Sequence, residues 1–111
     1  MDTSERLGQA AIAILVALGP DERHGYAIMR EIEALSDGRT RLAPGTLYTN
    51  IKRLLAAGLI EETDQRPDSA LDDERRRYYR LTDDGRDAVA TEVARMDALV
   101  ARARPWLGRL T

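Results

Sequence analysis

The segment PGTLYTNIKRLLAAGLI, residues 44–60, decides the fold of this 111-residue chain. Pro44 suits the first turn of a helix, and Gly58 suits the position just past its end. The apolar residues between them share one face, namely Leu47, Ile51, Leu54 and Leu55. The opposite face collects small, polar and basic side chains, namely Gly45, Thr49, Lys52, Arg53 and Ala56, with Thr46 and Tyr48 at its borders. The segment therefore predicts an amphipathic helix whose outer face carries no acidic residue.

A β-hairpin is predicted directly after this helix. Residues 59–63 and 77–81 are two short runs of the kind that form strands. The stretch between them is polar, contains Pro67, and is too long for a tight turn. Alternation along the second run places Tyr79 and Leu81 on the face that packs against the core.

Two further helices are predicted before residue 44. The first begins after Thr3 or Ser4, either of which is a suitable N-cap, and it ends at Leu18. The second begins at residue 24 or 25 and ends at residue 35. Its apolar stripe consists of Tyr26, Ile28, Met29, Ile32 and Leu35.

The order of these elements predicts the architecture. Three helices, a two-stranded wing and a final helix form the order of a winged helix-turn-helix, so the fold class is mainly α with a small β-hairpin. Residues 39–42 are expected to form at most a strand of one bridge. Residues 1–81 are predicted to be a DNA-binding domain, and residues 82–111 a C-terminal dimerisation helix.

The final helix is predicted to begin at an N-cap on Thr82 and to carry a heptad seam. Apolar residues recur at alternating intervals of four and three, which is typical of a helix that packs along another helix. Pro105 predicts a kink or an end near residues 101–103. The seam covers the first helix of the same chain, joins two copies of the chain, or does both. Its members are Val89, Val93, Met96, Val100, Ala103, Leu107 and Leu110.

Composition excludes several classes of function. The chain has no Cys and a single His, which leaves no thiolate chemistry, no metal cluster and no expected cofactor. It also lacks the Gly-rich loops and nucleophile motifs of common enzymes, so no enzyme activity is expected. The longest apolar run, residues 10–18, is too short to cross a membrane, and a cytoplasmic location is expected.

Charge is segregated along the chain although the net charge is only −2. The acid-free segment 38–57 holds four basic residues, and residues 75–80 hold four arginines. A scaffold that never touches DNA is the rival interpretation, since the isoelectric point is 5.4. A scaffold has no need of an acid-free segment, so the distribution favours double-stranded DNA as the partner.

Several motifs resemble the PadR family of transcriptional regulators. They are His24-Gly25-Tyr26, then Pro44 to Tyr48 with Lys52-Arg53-Leu54 and Gly58-Leu59-Ile60, then Arg77 to Thr82 with Gly85. Together they span about residues 7–86. The resemblance implies the short branch of the family, with one C-terminal helix, and a homodimer that represses promoters at inverted-repeat operators. It also implies that a small-molecule effector releases the DNA.

The predicted DNA-binding residues lie on the third helix and in the wing. An α-helix fits the major groove, where basic and hydroxyl side chains contact phosphates and base edges. Each part of this prediction has an alternative. The polar face of the helix is otherwise an ordinary solvated surface, and Tyr48 otherwise packs against the second strand. The wing arginines otherwise balance the acidic charge of residues 72–74. The predicted set is Gly45, Thr46, Tyr48, Thr49, Lys52, Arg53, Arg75, Arg76 and Arg77.

Two residues of the final helix are candidates for binding a small hydrophobic or aromatic effector. Met96 has a soft, adaptable side chain, and Trp106 offers an aromatic platform. Packing of Trp106 against the second subunit is the alternative. His24 is either a pH-sensitive switch or a structural residue that opens the second helix.

Overall fold

The computed structural model describes residues 7–63 and 77–108. These residues form four helices and three short strands, in the predicted order apart from one additional strand. The elements are α1 (Gln9–Leu18), β1 (Arg23–His24), α2 (Gly25–Leu35), α3 (Pro44–Ala56), β2 (Ile60–Thr63), β3 (Tyr78–Leu81) and α4 (Asp83–Leu107). The predicted class, mainly α with a small β component, is confirmed.

The core lies where α1, α2 and α3 meet the sheet. Tyr79 of β3 is the one aromatic side chain among its buried members. Burial of a large aliphatic side chain contributes about 1.5–3 kcal/mol, so this small core is stabilised mainly by aliphatic packing. The largest fully buried side chains are Ile14, Leu15, Leu18, Ile28, Leu47, Ile51 and Ile60.

The sheet has three antiparallel strands in the order β1-β3-β2. The predicted hairpin is present, and a third strand, β1, adds to it. Arg23 of β1 pairs with Tyr79, and His24 pairs with Tyr78. The one-bridge strand predicted at residues 39–42 is wrong. The backbone there bonds locally instead, because the N–H of Thr40 donates to Oγ of Ser36 at 2.9 Å.

The predicted start of α1 is also wrong. Leu7 and Gly8 lie outside the helix, and Gly8 is the N-cap in an extended conformation. The N–H of Ile12 donates to the carbonyl of Gly8 at 3.0 Å, which closes the first turn. Glycine has a low helix propensity, so the helix begins after Gly8 rather than after Thr3 or Ser4.

Helix α2 has the predicted bounds but a narrower apolar stripe. Nδ1 of His24 accepts a hydrogen bond from the N–H of Ala27 at 3.1 Å, so His24 is the N-cap and has the predicted structural role. Ile28 and Ile32 are buried, whereas Tyr26 and Leu35 are 53% and 57% exposed. These last two positions lie at the edges of the stripe, outside the contact with α1 and α3.

Helix α4 begins as predicted and ends later than predicted. Thr82 is the N-cap, and its Oγ1 accepts a hydrogen bond from the N–H of Gly85 at 3.0 Å. The helix continues through Pro105 to Leu107, so the predicted end near residues 101–103 is wrong. Pro105 removes only the bond to the carbonyl of Ala101. The N–H of Gly108 still donates to the carbonyl of Arg104, which holds the last turn together.

Candidate nucleic-acid interface

The outer face of α3 is exposed over its whole length. Pro44 is the first residue of the helix and Gly58 follows its C-cap with a φ of 77°, so the predicted punctuation is confirmed. Leu47, Ile51 and Leu54 anchor the inner face in the core. The exposed positions are Gly45, Thr46, Thr49, Lys52, Arg53 and Ala56. The structure therefore brings together every predicted DNA-binding residue of α3 except Tyr48 on one open surface.

Charge on and around this face is partly neutralised. Arg41 donates a hydrogen bond from Nη2 to Oε2 of Glu33 at 2.9 Å, and this contact raises the pKa of Arg41 further above its ordinary value. Within the described residues, Lys52 and Arg53 form no ion pair, and the same holds for Arg39 in the connection before α3. Positive charge is thus concentrated at these three positions.

Two neighbouring side chains of α3 are held by the protein itself. The amide of Asn50 donates to the carbonyl of Thr46 at 2.9 Å, one turn back along the helix. Tyr48 is half-buried and packs over the start of α2, where a Cβ atom at Gly25 would lie 2.9 Å from Cζ of the tyrosine ring. A glycine at position 25 is therefore needed for this approach. The sequence motif that contains Gly25 signalled its importance without giving this reason.

Arginines of the wing strand are paired with the strand beside it. Nη1 of Arg77 lies 3.6 Å from Oε1 of Glu62, and Nε of Arg80 donates to Oε2 of Glu61 at 2.6 Å. The second contact raises the pKa of Arg80 above its ordinary value. The sequence placed four arginines in an acid-free run, yet at least two of them meet carboxylates across the sheet.

Some predicted residues lie outside the described ranges. Arg75 and Arg76 of the wing belong to this group, as do the acidic residues 72–74 of the wing loop and Leu110 at the end of the seam.

The seam of α4 divides into two parts. Val89 packs against the core, which agrees with the intramolecular alternative at that position. Val93, Met96, Val100 and Leu107 are between 41% and 47% exposed, and Trp106 is 58% exposed. Packing within the same chain therefore explains the apolar character of only the first part of the seam.

Two absences bear on rival functions. Residues 7–63 and 77–108 contain no group of three or more acidic or histidine side chains that would hold a metal ion. Among the helices of those same residues, none is both long and apolar enough to span a membrane.

The three-helix core, the outward face of α3 and the strands β2 and β3 place the chain in the winged helix-turn-helix class. The family model of the transcriptional regulator PadR-like family matches residues 14–91. The chain belongs to this family, whose members are transcriptional regulators rather than enzymes.

Individual relatives agree with this assignment. A PadR family transcription regulator from Clostridium difficile shares 25% identity and a TM-score of 0.72, with 90% of this chain and 99% of that chain covered. RosR of H. salinarum shares 31% identity and a TM-score of 0.65, with coverage of 91% and 80%. An uncharacterized 37.1 kDa protein in a transposon of Streptomyces fradiae is 34% identical over 97 residues, which are 87% of this chain and 26% of that protein. The chain thus spans about a quarter of the length of this last relative.

Proposed function

We propose that the protein is a homodimeric repressor that binds an inverted-repeat operator through α3. The observation that carries the proposal is the outer face of α3, which is exposed, free of carboxylates and carries Lys52 and Arg53, neither of which pairs with a described carboxylate. Carboxylates on this face would repel the phosphates of DNA, whereas Lys52 and Arg53 attract them. The cytoplasm is the compartment in which such a regulator meets its DNA.

The geometry of α3 supports contacts in the major groove. Thr49, Lys52 and Arg53 lie along the exposed face and are proposed to reach base edges and phosphates. No side chain caps the start of α3, because Ala43 is the N-cap. The first N–H groups of the helix, on Gly45 and Thr46, are therefore proposed to bind a phosphate. Tyr48 and the wing arginines 75–77 complete the proposed interface, with Arg77 moving from Glu62 to the DNA backbone.

Dimerisation is assigned to the second proposed unit, residues 82–111. The exposed part of the α4 seam needs a partner, since an isolated chain leaves these apolar side chains in water. A two-fold dimer presents two copies of α3 in opposite directions, and this arrangement requires an operator with inverted half-sites.

A binding titration tests the proposal. We expect the purified protein to bind the DNA upstream of its own gene much more tightly than a scrambled duplex, with weaker binding at the higher of two salt concentrations. Footprinting would then locate two inverted half-sites. Equal binding to both duplexes at both salt concentrations, followed by a failure on genomic fragments, would indicate the scaffold function instead.

Release by an effector is the last part of the proposal. Met96 and Trp106 lie ten residues apart on the exposed face of α4, and we propose that a planar hydrophobic or aromatic molecule binds beside them. Trp106 is the single tryptophan of the chain, so it reports binding directly. We expect planar cationic dyes to quench its fluorescence in the wild type and less strongly in Met96→Ala. Absence of quenching by every dye in a chemically varied panel contradicts this site.

A further inference from the structure

The chain uses arginine for almost all of its basic side chains. Of its 17 lysine and arginine residues, 16 are arginines, and Lys52 is the single lysine. Both residue types carry one positive charge, so attraction to phosphate alone does not require a lysine at position 52. The two differ in chemistry, because a lysine amine that loses its proton is a nucleophile, whereas the guanidinium of arginine stays protonated. Lys52 is therefore the one side-chain amine of this sequence that an acyl donor can modify.

Lys52 lies open on the outer face of α3. Its side chain is exposed and forms no ion pair with a described carboxylate. Its neighbours on the same face, one turn before and one turn after it, are Thr49 and Ala56. Both are exposed, and both are too small to cover a lysine side chain. The amine is thus accessible to a small reagent whenever DNA is absent.

The charges around Lys52 favour an anionic reagent. Helix α3 contains no acidic residue, and Arg53 beside Lys52 is exposed and forms no ion pair with a described carboxylate. A positive surface raises the local concentration of anions, and the effect extends over about 10 Å at 0.1 M salt. Acyl phosphates carry their activated acyl group on an anionic phosphate. The features that suit the phosphates of DNA therefore also bring such a donor to the lysine amine.

We propose that Lys52 is a site of acylation by an acyl phosphate, and that this modification releases the protein from DNA. The unprotonated nitrogen of Lys52 attacks the carbonyl carbon of the donor. A C–N bond forms, and the bond between that carbon and the phosphate oxygen breaks with its electron pair on the phosphate. The nitrogen loses a proton to water. The products are an uncharged amide on Lys52 and inorganic phosphate, so the step needs neither an oxidant nor a reductant.

The loss of charge at Lys52 accounts for the release. This effect rests on the proposed function, in which Lys52 contacts a phosphate of the operator. Acylation removes that contact from each copy, so the slope of log K against log salt should become shallower by about 0.9 per modified copy. Bound DNA covers the same amine, and the operator should therefore protect Lys52 from the donor.

The charge of Arg53 is expected to guide the donor. Arg53→Ala should slow the acylation of Lys52 about twofold at low salt, because it removes the positive charge nearest to the amine. Arg86→Ala is the matched control, since it removes the same charge from an exposed position on α4 and should leave the rate unchanged. Equal rates in the two variants would overturn this role of Arg53.

Treatment with acetyl phosphate tests the site itself. We expect peptide mass spectrometry to detect an acetyl group on Lys52 of the treated wild type, and its affinity for the operator to fall on the order of tenfold. Lys52→Arg keeps the positive charge but has no amine to acylate. Treated and untreated samples of this variant should therefore bind the operator equally. The variant retains the α-amine of the chain, so it also controls for acylation at that position.

The two measurements separate failure of the site from failure of the proposed function. A Lys52 that stays unmodified in excess acetyl phosphate would overturn the proposal. An acetylated protein that binds the operator as tightly as the untreated one would also overturn it, as would equal acylation with and without bound operator. An untreated protein that binds no DNA would overturn the proposed function, and with it the release, whatever mass spectrometry detects at Lys52.

Discussion

Replacing both Lys52 and Arg53 by alanine is expected to weaken operator binding about 10- to 100-fold at moderate salt, with no loss of folding. Both side chains are exposed on α3 and neither is paired with a described carboxylate, so their charge is available to DNA. Each lost phosphate contact removes one released counterion, and the slope of log K against log salt should become shallower by about 0.9 per contact. Fluorescence anisotropy with the operator at several salt concentrations measures both quantities.

A matched control removes the same charge elsewhere. Arg86 and Arg102 are exposed on α4, away from α3 and outside the proposed dimer seam. Replacing both by alanine removes the same two positive charges as the variant of Lys52 and Arg53. It should alter the operator affinity and the salt slope far less than that variant does. Wild-type affinity and slope in the Lys52 and Arg53 variant would show that α3 is not the recognition helix.

The sequence predicted α3 and α2 well because their signals are local. Pro44 and Gly58 act through their own backbone conformations, and the apolar spacing of α3 depends on helix geometry alone. The exposed face of α3 follows from the same spacing. The elements that sequence reasoning placed best are therefore those whose ends and faces are determined within about fifteen residues.

What the sequence did not predict depends on contacts between distant residues. Strand β1 has only two residues, and nothing in its own sequence distinguishes it from a loop until β3 lies beside it. The neutralisation of Arg41 by Glu33, and of Arg80 by Glu61, likewise requires the folded chain. Counting charges along the sequence therefore overestimated the free positive charge of the wing and of the segment before α3.

The effect of Pro105 on α4 was overestimated from the sequence. A proline inside a helix costs about 3 kcal/mol or more when its surroundings cannot adjust. Here it lies two residues before the end of α4 and on an exposed turn, so the loss is limited to one hydrogen bond. The position of a helix breaker relative to the helix end decides its effect, and that end was not known from the sequence.

Replacing Gly85 by alanine is expected to destabilise the fold by about 2–4 kcal/mol, although alanine is the better helix former. A Cβ atom at position 85 would overlap the carbonyl oxygen of Leu59, which is backbone and cannot rotate away. That carbonyl also accepts the N–H of Thr82 at 3.1 Å, and Oγ1 of Thr82 donates to the carbonyl of Gly58 at 2.6 Å. The overlap is relieved only if α4 moves away from Leu59, which breaks this network and lifts Val89 from the core.

Gly45→Ala is the matched control, since Gly45 also lies in the first turn of a helix but has no atom within 4 Å of an added Cβ. It should leave stability unchanged or raise it by up to about 1 kcal/mol. Urea denaturation at one fixed protein concentration compares the two variants while holding the contribution of the dimer constant. A large gap between them means that the start of α4 is fixed directly to the wing strands, so that the helix proposed to join two subunits also positions α3 of each. Equal stability of the two variants would contradict the close packing of α4 on Leu59, and with it this mechanical link between the dimer seam and the DNA-binding face.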